Sequence, residues 1–249
     1  MTKKIILTIF ISIVLIIAFL LMENKREKQI AADEQRSNNL ASRVVKDGMF
    51  FPHVIVKPID EGINNPEFKM FREQLLKAVE QKDLELLIKH LDENIKYSFG
   101  AEDASIEGFL TEWNLKENPG ESKVWEILKQ VLLLGGRFYG DENFIAPYTY
   151  TDFPTDDEFD PFNYLVVIDK GVEIFEEQDL KSKVVGTVSY EVVKADDYFA
   201  NEDNWCKITT SSGISGFIHR DKLRSPLDYR IFFQKRNGVW KITVFINGD

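Results

Sequence analysis

An apolar run from Ile5 to Met22, broken only by Thr8 and Ser12, opens this chain between Lys3-Lys4 and the charged stretch Glu23–Lys28. As a helix rising 1.5 Å per residue the run reaches about 27 Å, close to the ~30 Å hydrocarbon core of a bilayer. Core helices of globular proteins carry a polar stripe, and this run has none. A secretory signal would end on a small-residue cleavage site after a shorter apolar stretch. Here the exit reads Ala18-Phe19-Leu20-Leu21-Met22-Glu23, and Ala31-Ala32 stands well downstream. The expectation is an uncleaved signal anchor. Residues 1–28 form a membrane anchor with a single-pass transmembrane helix over 5–22, followed by a polar stalk over 29–50. Lys3 and Lys4 before the run nearly balance Lys25, Arg26 and Lys28 after it, so the positive-inside rule leaves orientation open.

The formal net charge is −10, and only Lys3 and Lys4 precede the run, so the rest of the chain is more acidic still. Such a surface repels polyanions and argues against a nucleic-acid partner. Aromatic residues make up 12% of the chain, enough to build a real core behind the stalk. The single cysteine, Cys206, cannot form an intramolecular disulfide, and its place in an apparent strand after Trp205 reads as a buried thiol.

Between residues 51 and 163 the pattern is α-rich within an α+β domain. Asn65-Pro66 is a helix start, an asparagine cap with proline at the first helical position. Phe68, Phe71, Leu75, Ala78 and Val79 follow at helical spacing, and Lys82-Asp83 restarts the pattern for a second short helix through Leu91. Ile95–Phe99 alternates as a strand does, and a helix over about Ser122–Leu134 stops at Gly135-Gly136. From Tyr164 the texture changes. Short β-rich runs at 165–168, 172–175, 184–189, 192–195, 205–209 and 216–218 indicate a small barrel or sandwich. Residues 227–249 read as a terminal hairpin, Tyr229–Lys235 and Val239–Ile246 flanking Asn237-Gly238.

Residues 164–224 resemble a bacterial SH3 domain. The match rests on Val184-Val185-Gly186-Thr187-Val188, then Asn204-Trp205-Cys206-Lys207-Ile208, then Gly213-Ile214-Ser215-Gly216-Phe217-Ile218, and finally Asp221-Lys222-Leu223. The resemblance implies an SH3-like β-barrel over 164–226, with Trp205 and Phe217 filling it and Gly213 in a turn at positive φ. Glu173–Gln178 lacks the family's early Asn, Arg and Pro, and Glu191 stands where the family has glycine. The body from Pro52 onward is also similar to a family of bacterial SH3-containing envelope proteins. That likeness rests on Lys96-Tyr97-Ser98-Phe99-Gly100, Trp113 with Trp125, Leu134-Gly135-Gly136, Ala146-Pro147-Tyr148 and the segment Trp240–Asp249. It implies an extracytoplasmic or periplasmic location for the bulk of the chain. A further likeness links the Leu84–Phe99 helix-then-strand and the final hairpin to NTF2-like folds, in which case the SH3 module is an insertion.

Chemistry is sparse. His53, His90 and His219 stand singly, without metal-ligand spacing. Asp152, Asp156, Asp157, Glu158 and Asp160 are hard oxygen donors, but they lack a calcium-loop register and read as a solvated loop. Tyr139, Phe144, Tyr148, Tyr150 and Phe153 crowd the segment before that loop, as core or as a peptide or sugar groove. No cofactor and no catalytic constellation is expected. The expected function is a non-catalytic binding module engaging a protein partner or a cell-wall component such as peptidoglycan. Tyr190, Tyr198, Trp205 and Phe217 are its candidate ligand-binding residues. The alternatives are an extracytoplasmic enzyme or small-molecule-binding domain, and a structural subunit of an envelope complex.

Overall fold

Local sequence signals set the first half of the fold. The computed structural model describes residues 50–100, 104–195, 198–199 and 204–249, which fall within one compact unit, Asp47–Asp249. Helix α1 (Pro66–Gln81) begins where the Asn65 side chain accepts from Phe68 N at 3.0 Å, with Pro66 supplying a helical φ at the first position. Lys82, at φ 52°, ends it in the left-handed region, and Asp83 caps α2 (Leu84–His90) through Leu86 N. The chain passes directly into β1 (Leu91–Lys96), then α3 (Ile106–Glu112) and α4 (Val124–Leu133). A tight hairpin, β2 (Arg137–Phe138) and β3 (Asn143–Ala146), and the single turn α5 (Tyr148–Thr151) complete this part.

Nine strands follow: β4 (Tyr164–Val167), β5 (Val172–Phe175), β6 (Val184–Val188), β7 (Val192–Ala195), β8 (Trp205–Thr209), β9 (Ser215–His219), β10 (Leu223–Arg224), β11 (Arg230–Arg236) and β12 (Val239–Ile246). They divide between two sheets. One is five-stranded in the order β1-β12-β11-β3-β2, with β1 parallel to β12 and the other pairs antiparallel. Asn237 and Gly238 both take positive φ, 51° and 80°, as the tight β11–β12 turn requires. The final hairpin is therefore the middle of a sheet whose other strands come from residues 91–146, not a separate terminal element. Phe68 of α1, fully buried, meets the rings of Phe138, Phe144, Phe233 and Trp240 from four strands, so both ends of the described chain share one core.

The other sheet has seven strands in the order β10-β4-β7-β8-β9-β5-β6. Its inner face carries Leu165, Val167, Ile174, Val193, Cys206, Ile208 and Ile218. The opposite face of β4 and β7, through Val166 and Val192, packs on Phe51, Val54, Val56, Tyr148, Phe153 and Phe159. Burial on both faces explains why Leu165–Val167 is an unbroken apolar run rather than an alternating one. Glu191, which stands where the SH3 resemblance expects a glycine, is buried here. Its Oε1 accepts from Ser211 N at 3.0 Å and Ser211 Oγ at 2.6 Å, while Ile55 bridges to its backbone. Gly213 has φ +86°, and a Cβ there would lie 2.3 Å from the Phe50 ring.

Three expectations are corrected. The SH3-like β-barrel expected over 164–226 is not found as a closed barrel. Among the described residues no pairing joins edge strand β6 to edge strand β10, because β10 is two residues long and the chain leaves it at Ser225 to build the other sheet. Residues 51–163 are not an α-rich domain followed by independent β units. The architecture is a mixture of two sheets and few helices, and the first sheet needs strands from both sides of the inserted one. The membrane-anchored, extracytoplasmic placement is corrected as well. No helix among the described residues is long and apolar enough to cross a membrane, the longest being the amphipathic 16-residue α1. The run Ile5–Met22 and the stalk through residue 49 lie outside the described residues.

Candidate functional site: a cleft between helix α4 and the seven-stranded sheet

Helical periodicity creates one wall of the site. Val124, Leu128, Val131 and Leu132 turn α4 into the first core, which leaves Glu126, Ile127, Gln130 and Leu133 on its other flank. That flank faces the rim of the seven-stranded sheet, formed by Ile168, Asn204, His219, Arg220, Asp221, Leu223 and Arg224. Tyr198, Asp228 and Tyr229 complete the lining, and the volume of the open cleft is about 690 Å³. Leu133, 63% exposed, is an apolar side chain held at the opening.

The polar groups in this cleft are ordered by one another. Asp228 Oδ2 accepts from Tyr198 Oη and from Ser225 N, each at 2.9 Å. Burial, with the Asp228 carboxylate adding to it, pushes the Tyr198 hydroxyl well above its ordinary pKa, so it stays a neutral donor. Arg220 stacks its guanidinium on the Tyr198 ring, 4.4 Å from the centroid, and donates from Nη1 to the Tyr198 carbonyl at 2.8 Å. His219 Nδ1 lies 2.7 Å from Asp221 Oδ1. Arg224 is only 8% exposed and donates from Nη2 to the Tyr229 carbonyl at 2.6 Å. Burial lowers its pKa from the usual value, the sign of a cation taken from water.

An aromatic rim continues from the cleft. Trp205 and His219 are partners across β8–β9, with rings 5.6 Å apart. Phe175 meets Trp205 edge-on at 5.6 Å and pairs with Phe217 across β5–β9. Strand alternation puts Trp205, Phe217 and His219 on one face, and Cys206, Ile208 and Ile218 on the other, buried one. Trp205 and Phe217 are therefore partly buried on the outer face and do not fill the interior, which corrects the role drawn from the resemblance.

Of the four residues singled out from sequence, Tyr198 lines the cleft and Trp205 and Phe217 form its aromatic extension. Tyr190 does not join them. It occupies the β6–β7 turn at φ 56°, donates to the Asp169 carbonyl and accepts from Val56 N. Arg224, Asp228 and the α4 flank escaped the sequence reading. Arg224 follows Leu223 in a two-residue strand, too short for alternation to mark it as buried.

The other sequence candidates fall elsewhere. Asp152 is held by Arg137 Nη2 at 2.7 Å, and the Asp152 and Glu61 carboxylates raise the Arg137 pKa above its usual value. Asp156, Asp157 and Asp160 border a smaller hollow of about 430 Å³ with Tyr150, Phe153 and Phe159, while Phe144 and Tyr148 are core. Among the described residues no group of three His, Cys, Asp or Glu is placed to hold a metal ion. His53, Glu191 and Ser211 meet, with His53 Nδ1 3.0 Å from Ser211 Oγ, but the carboxylate accepts the serine proton directly. That arrangement fixes a turn; a triad would set the carboxylate beyond the imidazole.

No protein-family model, curated protein or solved structure matches this chain.

Proposed function

We propose that this protein is a non-catalytic binding protein that engages a protein partner or a cell-wall component through the cleft between α4 and the seven-stranded sheet. The observation that carries this reading is the make-up of the cleft. An exposed apolar side chain, Leu133, faces a wall of stacked and hydrogen-bonded polar groups, with an aromatic surface continuing from one side. Ligand sites favour such junctions between packed layers, where apolar contact supplies affinity and a few fixed polar groups supply orientation. Tyr198 and Trp205 present large, stiff faces at small entropic cost, which suits a peptide-like ligand. The likeness of residues 164–224 to bacterial SH3 domains supports the same reading by analogy.

The test uses the full-length protein against purified peptidoglycan by co-sedimentation and against a peptide array. Leu133→Arg blocks the opening, whereas Lys181→Glu alters a surface away from it. Binding that Leu133→Arg abolishes and Lys181→Glu leaves intact supports the cleft. Equal binding by both variants places the ligand elsewhere and defeats the proposal.

A further inference from the structure

We infer that the floor of this cleft is an oxyanion subsite, built on the Arg224 guanidinium, that takes a single carboxylate of the bound ligand. This deepens the binding reading above and rests on it.

One cation in the lining of the cleft is unbalanced. Arg224 is more than nine-tenths buried yet still lines the cavity. A guanidinium carries five N–H donors and stays charged in proteins. Among the described residues it makes one hydrogen bond, to the Tyr229 carbonyl, and its Nε is buried with no partner. No carboxylate stands within ion-pair distance of it among the described residues. Asp228, the nearest in electrostatic effect, has its Oδ2 taken by Tyr198 Oη and Ser225 N. Buried charges in native proteins are paired, and an unpaired one is retained at a cost to stability. Arg230, the other buried arginine with unpartnered nitrogens, differs in kind. Its guanidinium lies between the Tyr150 and Phe99 rings, at 4.9 and 5.7 Å, and does not line the cleft.

The surroundings select the anion. Arg220 adds a second positive charge to the lining, but Asp221, Asp228 and Glu126 add three carboxylates. A phosphate dianion would meet that negative field with twice the charge. A carboxylate carries one charge and is planar, which suits the flat donor fork of an arginine. Asn204 supplies a neutral amide donor nearby. The ligand class is thus a peptide-like molecule ending in, or bearing, a free carboxylate.

The experiment follows the Nε–H resonance of Arg224 in full-length ¹⁵N-labelled protein, assigned by its loss in Arg224→Lys. Sodium acetate is titrated at constant ionic strength against sodium chloride and sodium phosphate. In parallel, N-acetylated peptides are compared as free acids and as C-terminal amides. The expected result is a saturable shift with acetate that chloride does not produce. Free-acid peptides should bind about tenfold tighter than their amides, as one charge-assisted hydrogen bond allows, and Arg224→Met should remove that preference. Should Arg224→Met fail to fold, the acetate titration and Arg224→Lys still decide the matter. An acetate response equal to chloride overturns the subsite whatever the peptides do, and a larger response to phosphate overturns the choice of carboxylate. An acetate shift without any peptide binding upholds the subsite and counts against the peptide reading of the cleft.

Discussion

Phe217 and Ile218 are neighbours on β9, and truncating each to alanine separates the two faces of the seven-stranded sheet. Ile218 is fully buried in the inner core beside Cys206 and Ile208. Its truncation removes contacts on every side and leaves a void, for which about 3–4 kcal/mol is expected. Phe217 is larger but partly buried on the outer face, where water replaces the lost ring and no cavity forms. Loss of that partial burial and of an aromatic strand residue is worth about 1–2 kcal/mol. With an m-value of roughly 2.5 kcal/mol per molar urea, the midpoint falls by about 1.4 M for Ile218→Ala and about 0.6 M for Phe217→Ala. Urea unfolding followed by circular dichroism measures both. A Phe217→Ala shift equal to or larger than that of Ile218→Ala would mean the aromatic residue fills the interior. The outer-face placement of Trp205 and Phe217, and with it the aromatic rim of the cleft, would then be wrong.

Three further outcomes follow from the packing. Ending the chain at Asp228 removes β11 and β12 from the middle of the first sheet, so cooperative unfolding should vanish in calorimetry, whereas a detachable hairpin would leave it intact. Glu191→Ala strands the buried N–H and hydroxyl of Ser211 and should cost about 2–4 kcal/mol by chemical denaturation, while a loss under ~0.5 kcal/mol would remove its anchoring role. Burial holds the His90 pKa below its ordinary value, against the opposing hydrogen bond to the Leu86 carbonyl. The unfolded chain therefore takes up the proton first, and stability falls as pH drops below the unfolded value near 6.5, by at most ~1.4 kcal/mol per pH unit. The pH dependence between 7.5 and 5.5 should be shallower in His90→Gln, and identical slopes would exclude His90 as the source.

Much of the element map was legible because it rests on local chemistry. Asn65-Pro66, Lys82-Asp83 and Asn237-Gly238 dictate backbone geometry within a few residues, and each falls where the structure starts, breaks or turns an element. Strands 172–175, 192–195 and 205–209 match their apolar runs residue for residue. Helix α3 and the β2–β3 hairpin were not anticipated, since Ile106–Glu112 spans barely two turns and Arg137–Phe138 is too short to show a period. Of the candidate site, Tyr198, Trp205 and Phe217 came from sequence likeness, while the groups that order the cleft did not.

Periodicity, caps and turn residues, read in order along the chain, settle where most helices and strands fall, because each depends on neighbours only a few positions away; the strand expected at Ile95–Phe99 is an exception and runs over Leu91–Lys96. Which strands pair, which face of β9 meets the interior, and that Arg224 ends up buried in the lining of the cleft depend on segments far apart in sequence. Those were decided only when β11 and β12 returned to the first sheet and brought α4 opposite the second, since burial is a property of what surrounds a residue and not of the residue itself.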